Sequence, residues 1–295
     1  MNNNKEIKLI GVTCTYNEAE MVPYVMPYVE RMGYDKFIVY DNESTDNTVE
    51  LLKQYSFVEV RNFSSNGVFS DSIRTKKILE VLQEYHKMSL NDDNLICFTI
   101  TDFDEVLFLT APHTLPFKPW VLNRYLYGKE NYFQDTMINI LPPKRNINDD
   151  FYKDDKYVHL HDNMKCNYWT VYGDKTTILI LNDFLTIEIT EGFHRMFLKP
   201  KKGVKPKNLK NTNELFGFHL KYINKNIIER KHNNVKDRLY HANYAYVSNI
   251  EDIYDGLYTT AFPLHNFFEK IQLVRDVDKC KYSGVFDFDN QERIN

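Results

Sequence analysis

The chain has 295 residues, 43% of them hydrophobic, enough for one large α/β domain or a domain with an appendage. A formal charge of −4 argues against general nucleic-acid affinity, which needs a basic face. Cys14, Cys97, Cys166 and Cys280 are widely separated with no C-x-x-C pair, the usage expected of buried, reduced thiols in a cytosolic protein.

"MNNNKEIKLIGV" runs straight into a strand with no charged-then-apolar leader, and no apolar run approaches the roughly 18 residues that span a bilayer. The expectation is a cytoplasmic chain, with peripheral contact at the inner face of a membrane as its closest approach to lipid. "IKLIGVTCTY" (7–16) has the β-branched, apolar character of a buried strand. Asn17 reads as a helix N-cap with Glu20 as its capping-box partner. Pro23 and Pro27 predict a kink or a late start for the helix that follows, and Gly33 ends it. "DKFIVYDNE" (35–43) is the next strand, "STDNTVELLKQY" a capped turn into a helix, and "FVEVRNF" (57–63) a third strand. "DSIRTKKILEVLQEYHKM" (71–88) is a helix with Ile73, Ile78, Leu79 and Leu82 as its apolar positions, and "LICFTITD" follows as the fourth strand.

Strands alternating with helices imply a mostly parallel, Rossmann-like sheet flanked by helices. Ligands bind such sheets outside the carboxyl ends of the strands. The polar clusters Thr15–Glu18, Asp41–Asp46 and Asp102–Glu105 all lie there. Beyond Thr110 the pattern loosens into a connector and the strands of a mixed region, "NYFQDTMINIL" and "KTTILILNDFLTIEIT". The basic, Gly/Pro-containing stretch 199–214 is expected to be a mobile loop. The predicted organisation is a domain over 1–235, with a nucleotide-binding half at about 7–110 and an acceptor half at about 111–235, then a C-terminal helical appendage over 236–295.

"NLICFTITDFDEVLFLT" (94–110) poses the chemical question, because it puts Asp102, Asp104 and Glu105 at the end of a strand built to be buried. An uncompensated carboxylate there is costly, so a metal ion, a basic side chain or water at an open cleft must balance it. Two carboxylates one residue apart can turn toward one site and hold a hard divalent cation whose remaining ligands are phosphate oxygens and water. Glu105 reads as a structural anion paired with a basic residue or a backbone donor. Asp41 can accept from a nucleobase imide or a ribose hydroxyl, or can form a turn ahead of an N-cap.

"TYNEAEMVPYVMPYVERMGYDKFIVYDNESTDNT" followed by "TDFDEVLF" resembles the GT-A fold nucleotide-diphospho-sugar glycosyltransferases, in the family 2-like branch whose pattern is N-E, then Y-D-N-x-S-x-D-x-T, then D-x-D-E-F. The resemblance spans roughly residues 7–110, and departs from the pattern at Val106, where the branch has Phe. It implies that Thr15, Tyr16, Asn17 and Glu18 line the nucleotide pocket and that Asp41 reads the base, typically uracil. Arg74 would reach the base or the diphosphate. Asp102 would contact the ribose or a metal-bound water, and Asp104 would bind Mn²⁺ or Mg²⁺ directly. The metal site would be completed by a His from the C-terminal half, either His194 in "EGFHRMF" or His219 in "GFHLKYINK". The Lys-rich loop at 199–210 would close over the diphosphate.

The activity so implied is inverting transfer of a sugar from a nucleotide-diphosphate donor, a UDP-sugar, to a hydroxyl of a glycan or lipid-linked glycan in surface polysaccharide synthesis. A carboxylate would take the acceptor proton, and Asp135 and Glu191 are the candidates. A sugar-1-phosphate nucleotidyltransferase would need a Gly-rich loop after the first strand, where this chain has "TCTYNEAE". A non-enzymatic alternative is a nucleotide-sugar-binding or scaffold subunit of a glycan-assembly complex.

Overall fold

The computed structural model describes residues 6–91, 94–109, 116–141, 168–190, 196–209, 214–223, 225–236, 239–240 and 262–263. Strand β1 (Ile7–Thr15) is nearly all buried, as its unbroken apolar and β-branched run requires of a central parallel strand. It pairs in parallel with β2 (Lys36–Asp41), and β2 with β3 (Val58–Asn62), in a register that sets Thr15 beside Asp41 and Asp41 beside Asn62. On its other side β1 pairs in parallel with a later strand, Leu95–Ile100.

Helix α1 (Val22–Met32) begins late, with a Pro in its first turn, and stops at Gly33, whose φ of 73° is the left-handed cap that glycine accepts without strain. The expected cap at Asn17 is not formed. Asn17 takes a φ of 50° and its side-chain carbonyl accepts from Thr45 N–H at 2.7 Å, so it laces two loops together instead of starting the helix. Helix α2 (Thr48–Leu52) is a short turn whose first N–H is received by Asp46 Oδ1 at 3.0 Å. A short strand β4 (Val68–Phe69) precedes α3 (Asp71–Ser89), which is capped by the Ser70 hydroxyl.

The chain then forms β5 (Leu95–Ile100), β6 (Glu105–Leu109), α4 (Phe117–Asn123), a π-helical turn Arg124–Gly128 and β7 (Tyr132–Leu141). Strand β8 (Tyr168–Ile180), the ribbon β9 (Phe184–Ile189) and β10 (Met196–Pro200), β11 (Asn208–Leu209), β12 (Leu215–His219) and α5 (Lys225–Lys236) follow. The main sheet runs β3-β2-β1-β5-β8-β7-β12-β6, parallel from β3 to β5, with β8 antiparallel to both β5 and β7. The expected α/β architecture, a mostly parallel central sheet flanked by helices, is thus present.

One core packs α1, α4 and α5 on one face of the sheet through Val25, Met26, Trp120 and Ile227. The other core packs α3 and the β9–β10 ribbon through Ile78, Leu82, Ile189 and Leu198. Residues 101–104 connect β5 to β6, four positions along the sheet. Four inter-strand steps come to about 19 Å, more than the roughly 17 Å that five extended residues reach, so the far half of the sheet curls back. The D-x-D segment is the crossing that this curl shortens.

Of the expected helical appendage, 239–240 and 262–263 are extended. The first pair forms β13 (Leu239–Tyr240) against β4 and the second forms β14 (Phe262–Pro263) against β8. The remainder of 237–295 lies outside the described residues. Among the described residues, no helix is long and apolar enough to cross a membrane.

Candidate functional site

At the carboxyl ends of β1 and β2, Thr15 and Asp41 are register partners and both are buried. Asp41 Oδ2 accepts from Ser44 N–H at 3.1 Å, whereas Asp41 Oδ1 and the Thr15 hydroxyl are buried with no hydrogen-bond partner. Orphaned buried acceptors are unusual in folded chains and call for a ligand or an ordered water. The neighbouring loops are tied together: Asn17 N–H donates to Ser44 Oγ at 2.9 Å and Glu18 N–H to Thr48 Oγ1 at 2.8 Å. Tyr16 is half-buried in the same loop.

The D-x-D turn closes on itself, with Asp102 N–H donating to Glu105 Oε2 at 2.8 Å and Glu105 N–H to Asp102 O at 3.0 Å. Arg74, on the first turns of α3, donates to Asp71 Oδ1 at 3.0 Å and to Asp102 Oδ1. Lys175 comes from β8; its side chain is 3% exposed, with Nζ 2.6 Å from Glu105 Oε2 and 3.2 Å from Asp102 Oδ2. Burial alone would raise the Asp102 carboxyl, but Lys175 and Arg74 outweigh it and hold the group well below the usual carboxylate range. Glu105 goes the other way: burial and the adjacent Asp102 charge raise it, against the pull of Lys175.

Asp104 is held by the second half of the chain. Lys231 Nζ, on α5, lies 2.8 Å from Asp104 Oδ2, and His219 Nε2, at the end of β12, lies 3.2 Å from it. His219 Nδ1 faces Asn139 Oδ1 of β7 at 2.8 Å, and Leu220 N–H donates to Asp104 O at 2.8 Å. Burial opposes ionisation of Asp104, yet Lys231 and His219 leave it well below its ordinary value. Lys231 also reaches Glu18 Oε1 at 3.0 Å, while Arg230 donates to Glu18 Oε2 at 3.1 Å and to the Asn17 carbonyl. The loop after β1, the D-x-D turn and α5 therefore form one charge network.

Asp135 does not join that rim. Its register partner on β8 is Lys175, it is 1% exposed, and Thr177 Oγ1 donates to its Oδ1 at 3.0 Å. Burial and the nearby Glu105 charge push its carboxyl up to about 7. Asp135 is thus enclosed within the sheet, with Thr177 as its side-chain partner. The other expected base, Glu191, and the alternative histidine ligand, His194, lie outside the described residues.

Gly217 on β12 makes room for Asp135. A Cβ there would overlap both Asp135 Oδ2 and the Met137 side chain. Gly217→Ala is expected to lower stability by about 1–3 kcal/mol through overpacking, read as a lower midpoint in urea with an unchanged slope; a variant as stable as the parent would contradict this packing.

The expected Mn²⁺ or Mg²⁺ site can be tested against these donors. Among the described residues, no group of three or more His, Cys, Asp and Glu side chains is placed to hold a metal. Both Asp102 oxygens already face cations, and Asp104 Oδ2 is shared by Lys231 and His219. Lys231 occupies the Glu18 and Asp104 oxygens that a divalent ion bridging these two carboxylates would take.

Sequence reasoning expects Arg74, Asp102, Asp104 and His219 in one site; in the structure Arg74 pairs with Asp102, and His219 with Asp104 two residues on. It missed Lys175, Arg230, Lys231 and Asn139. The available signal was the demand for positive charge at the D-x-D itself, answered here by basic side chains.

No protein-family profile matches the chain, and no curated protein does. Among solved structures, 4-diphosphocytidyl-2C-methyl-D-erythritol synthase aligns with 62% of this chain and 78% of its own at 10% identity and a TM-score of 0.30. HddC from Yersinia pseudotuberculosis aligns over 60% and 74% at 11% identity and a TM-score of 0.24. Likenesses this distant carry no argument about activity.

Proposed function

We propose that the protein is a nucleotide-using transferase, and more finely an inverting glycosyltransferase that moves a sugar from a UDP-linked donor to a glycan hydroxyl. The observation that carries this reading is the pair of orphaned buried acceptors, Asp41 Oδ1 and Thr15 Oγ1, set beside a cation-rich carboxylate network at the carboxyl edge of the sheet. A carboxylate oxygen at Asp41 suits the imide N–H of uracil. The basic groups beyond it suit a diphosphate, whose negative charge grows as it leaves.

In the reaction so proposed, the acceptor oxygen bonds to the anomeric carbon on the face opposite the diphosphate. The bond from that carbon to the diphosphate oxygen breaks, and its electron pair leaves with the nucleotide. The acceptor proton passes to a carboxylate on the acceptor side, the role expected of Glu191. A lipid-linked acceptor would be met through a peripheral surface, for which the lysines of the 199–207 stretch and the exposed Phe197 are suited.

The test is thermal-shift titration with UDP and GDP, followed by an assay of UDP release from UDP-sugars. UDP is expected to stabilise the chain, by about 2.7 kcal/mol at a hundred times its Kd, and GDP is not. Asp41→Asn is expected to weaken UDP binding about tenfold or more, because a charge-assisted acceptor becomes a neutral one. If neither nucleotide shifts the melting temperature, the reading fails. The second reading, a donor-binding subunit without turnover, is favoured by the cations that cap Asp102 and Asp104; retained UDP binding with no UDP release would select it.

A further inference from the structure

Lys231 is placed by the helix that carries it. Ile227 and Ile228 of α5 are buried in the body, and residues three and four positions along a helix share a face. Arg230 and Lys231 accordingly meet the loop after β1 and the D-x-D turn. Arg230 acts as a brace, bonded to the Asn17 carbonyl and Glu18 Oε2 and lying 3.5 Å from Glu20 Oε2.

Lys231 itself bridges carboxylates from two strand ends, at 3.0 Å from Glu18 Oε1 after β1 and 2.8 Å from Asp104 Oδ2 after β5. Drawing two carboxylates from separate elements onto one positive centre is what a hard divalent cation does. Here an ammonium stands in that position. An ammonium carries three N–H donors; Glu18 and Asp104 take two, and with 18% of the side chain exposed the third can meet a ligand oxygen. A metal ion bridging Glu18 and Asp104 would compete with Lys231 for the same two carboxylates.

We infer that Lys231, steadied by Arg230, holds the diphosphate of the donor in place of a divalent cation, so that nucleotide-diphosphate binding is independent of metal. This rests on the donor reading above and adds the source of the positive charge. Glu18 and Asp104 orient the ammonium, and Arg230 supplies a second cation beside it.

The experiment is calorimetric titration of the full chain with UDP and with uridine, each in EDTA and in Mn²⁺. The Kd for UDP is expected to agree within about twofold between the two conditions. Lys231→Met is expected to weaken UDP by about tenfold or more, the size of a lost charge-assisted contact, while leaving uridine binding unchanged, and Lys231→Arg to recover most of the loss. The wild-type comparison stands even if Lys231→Met fails to fold. UDP affinity that collapses in EDTA and returns with Mn²⁺ overturns this inference while leaving the transferase reading in place. Uridine weakened as much as UDP by Lys231→Met also overturns it. Absence of UDP binding in both conditions overturns the donor reading and this inference together.

Discussion

Replacing Lys175 with methionine is expected to destabilise the fold by about 3–5 kcal/mol, the range found when one partner of a buried ion pair is removed. The side chain is 3% exposed and lies within 3.2 Å of both Asp102 and Glu105. Burial would lower its proton affinity, but the two carboxylates more than reverse that, so it stays charged in the fold. Methionine fills nearly the same volume, so packing changes little and the cost is electrostatic. Glu105, already raised by burial and by Asp102, would take up a proton; Asp102 would keep Arg74 as its remaining cation. Urea denaturation read by circular dichroism measures the loss. The double variant Lys175→Met with Glu105→Gln should recover a substantial part of it, because the uncompensated charge is then gone. A loss below about 1 kcal/mol, the range of an exposed pair, would show that solvent and not Lys175 balances these carboxylates.

The contrast between Arg74 and Lys175 shows how much of this site was legible in the sequence. Strands β1, β2, β3 and β5 were readable because each is a short β-branched run bounded by polar residues, and parallel pairing puts their carboxyl ends on one side. Arg74 was readable because it opens the helix that leads directly into β5. Lys175 is separated from Asp102 by 73 positions and comes from a strand inserted antiparallel between β5 and β7. Lys231 is 127 positions from Asp104. No local periodicity encodes which strand is inserted where, so a lysine heading "KTTILI" reads as a solvated strand end. The helix start after β1 was misplaced for a different reason: Asn17 has the composition of a cap, but its left-handed backbone turns its side chain onto Thr45.

Asp135 makes the second large prediction, and its sign is opposite to that of the rim carboxylates. Its folded value of about 7 lies above the roughly 3.9 expected of an unfolded aspartate. Between those values the native state holds a proton that the unfolded chain has released, so stability falls as pH rises, by about 1.4 kcal/mol per unit at most, and levels off above 7. Asp102 and Asp104 are held low, so their contribution is full above their unfolded values and is lost as pH falls below about 3.9 through their folded values. The two windows do not overlap, and a single substitution separates them. Asp135→Asn removes the titration while nearly preserving the shape. It should gain stability over the parent steadily from pH 4.5 to 7, then hold a constant advantage to pH 8.5, as urea midpoints at each pH would record. At pH 4.5 the variant should be no better than the parent, because both residues are then neutral and the amide brings a buried donor that needs an acceptor. A stability difference that stays flat across this range would mean that Asp135 ionises normally, and so that water reaches it between β7, β8 and β12. The same experiment thereby decides whether Asp135 is sealed in the sheet or open to an acceptor hydroxyl as the base that the sequence suggested.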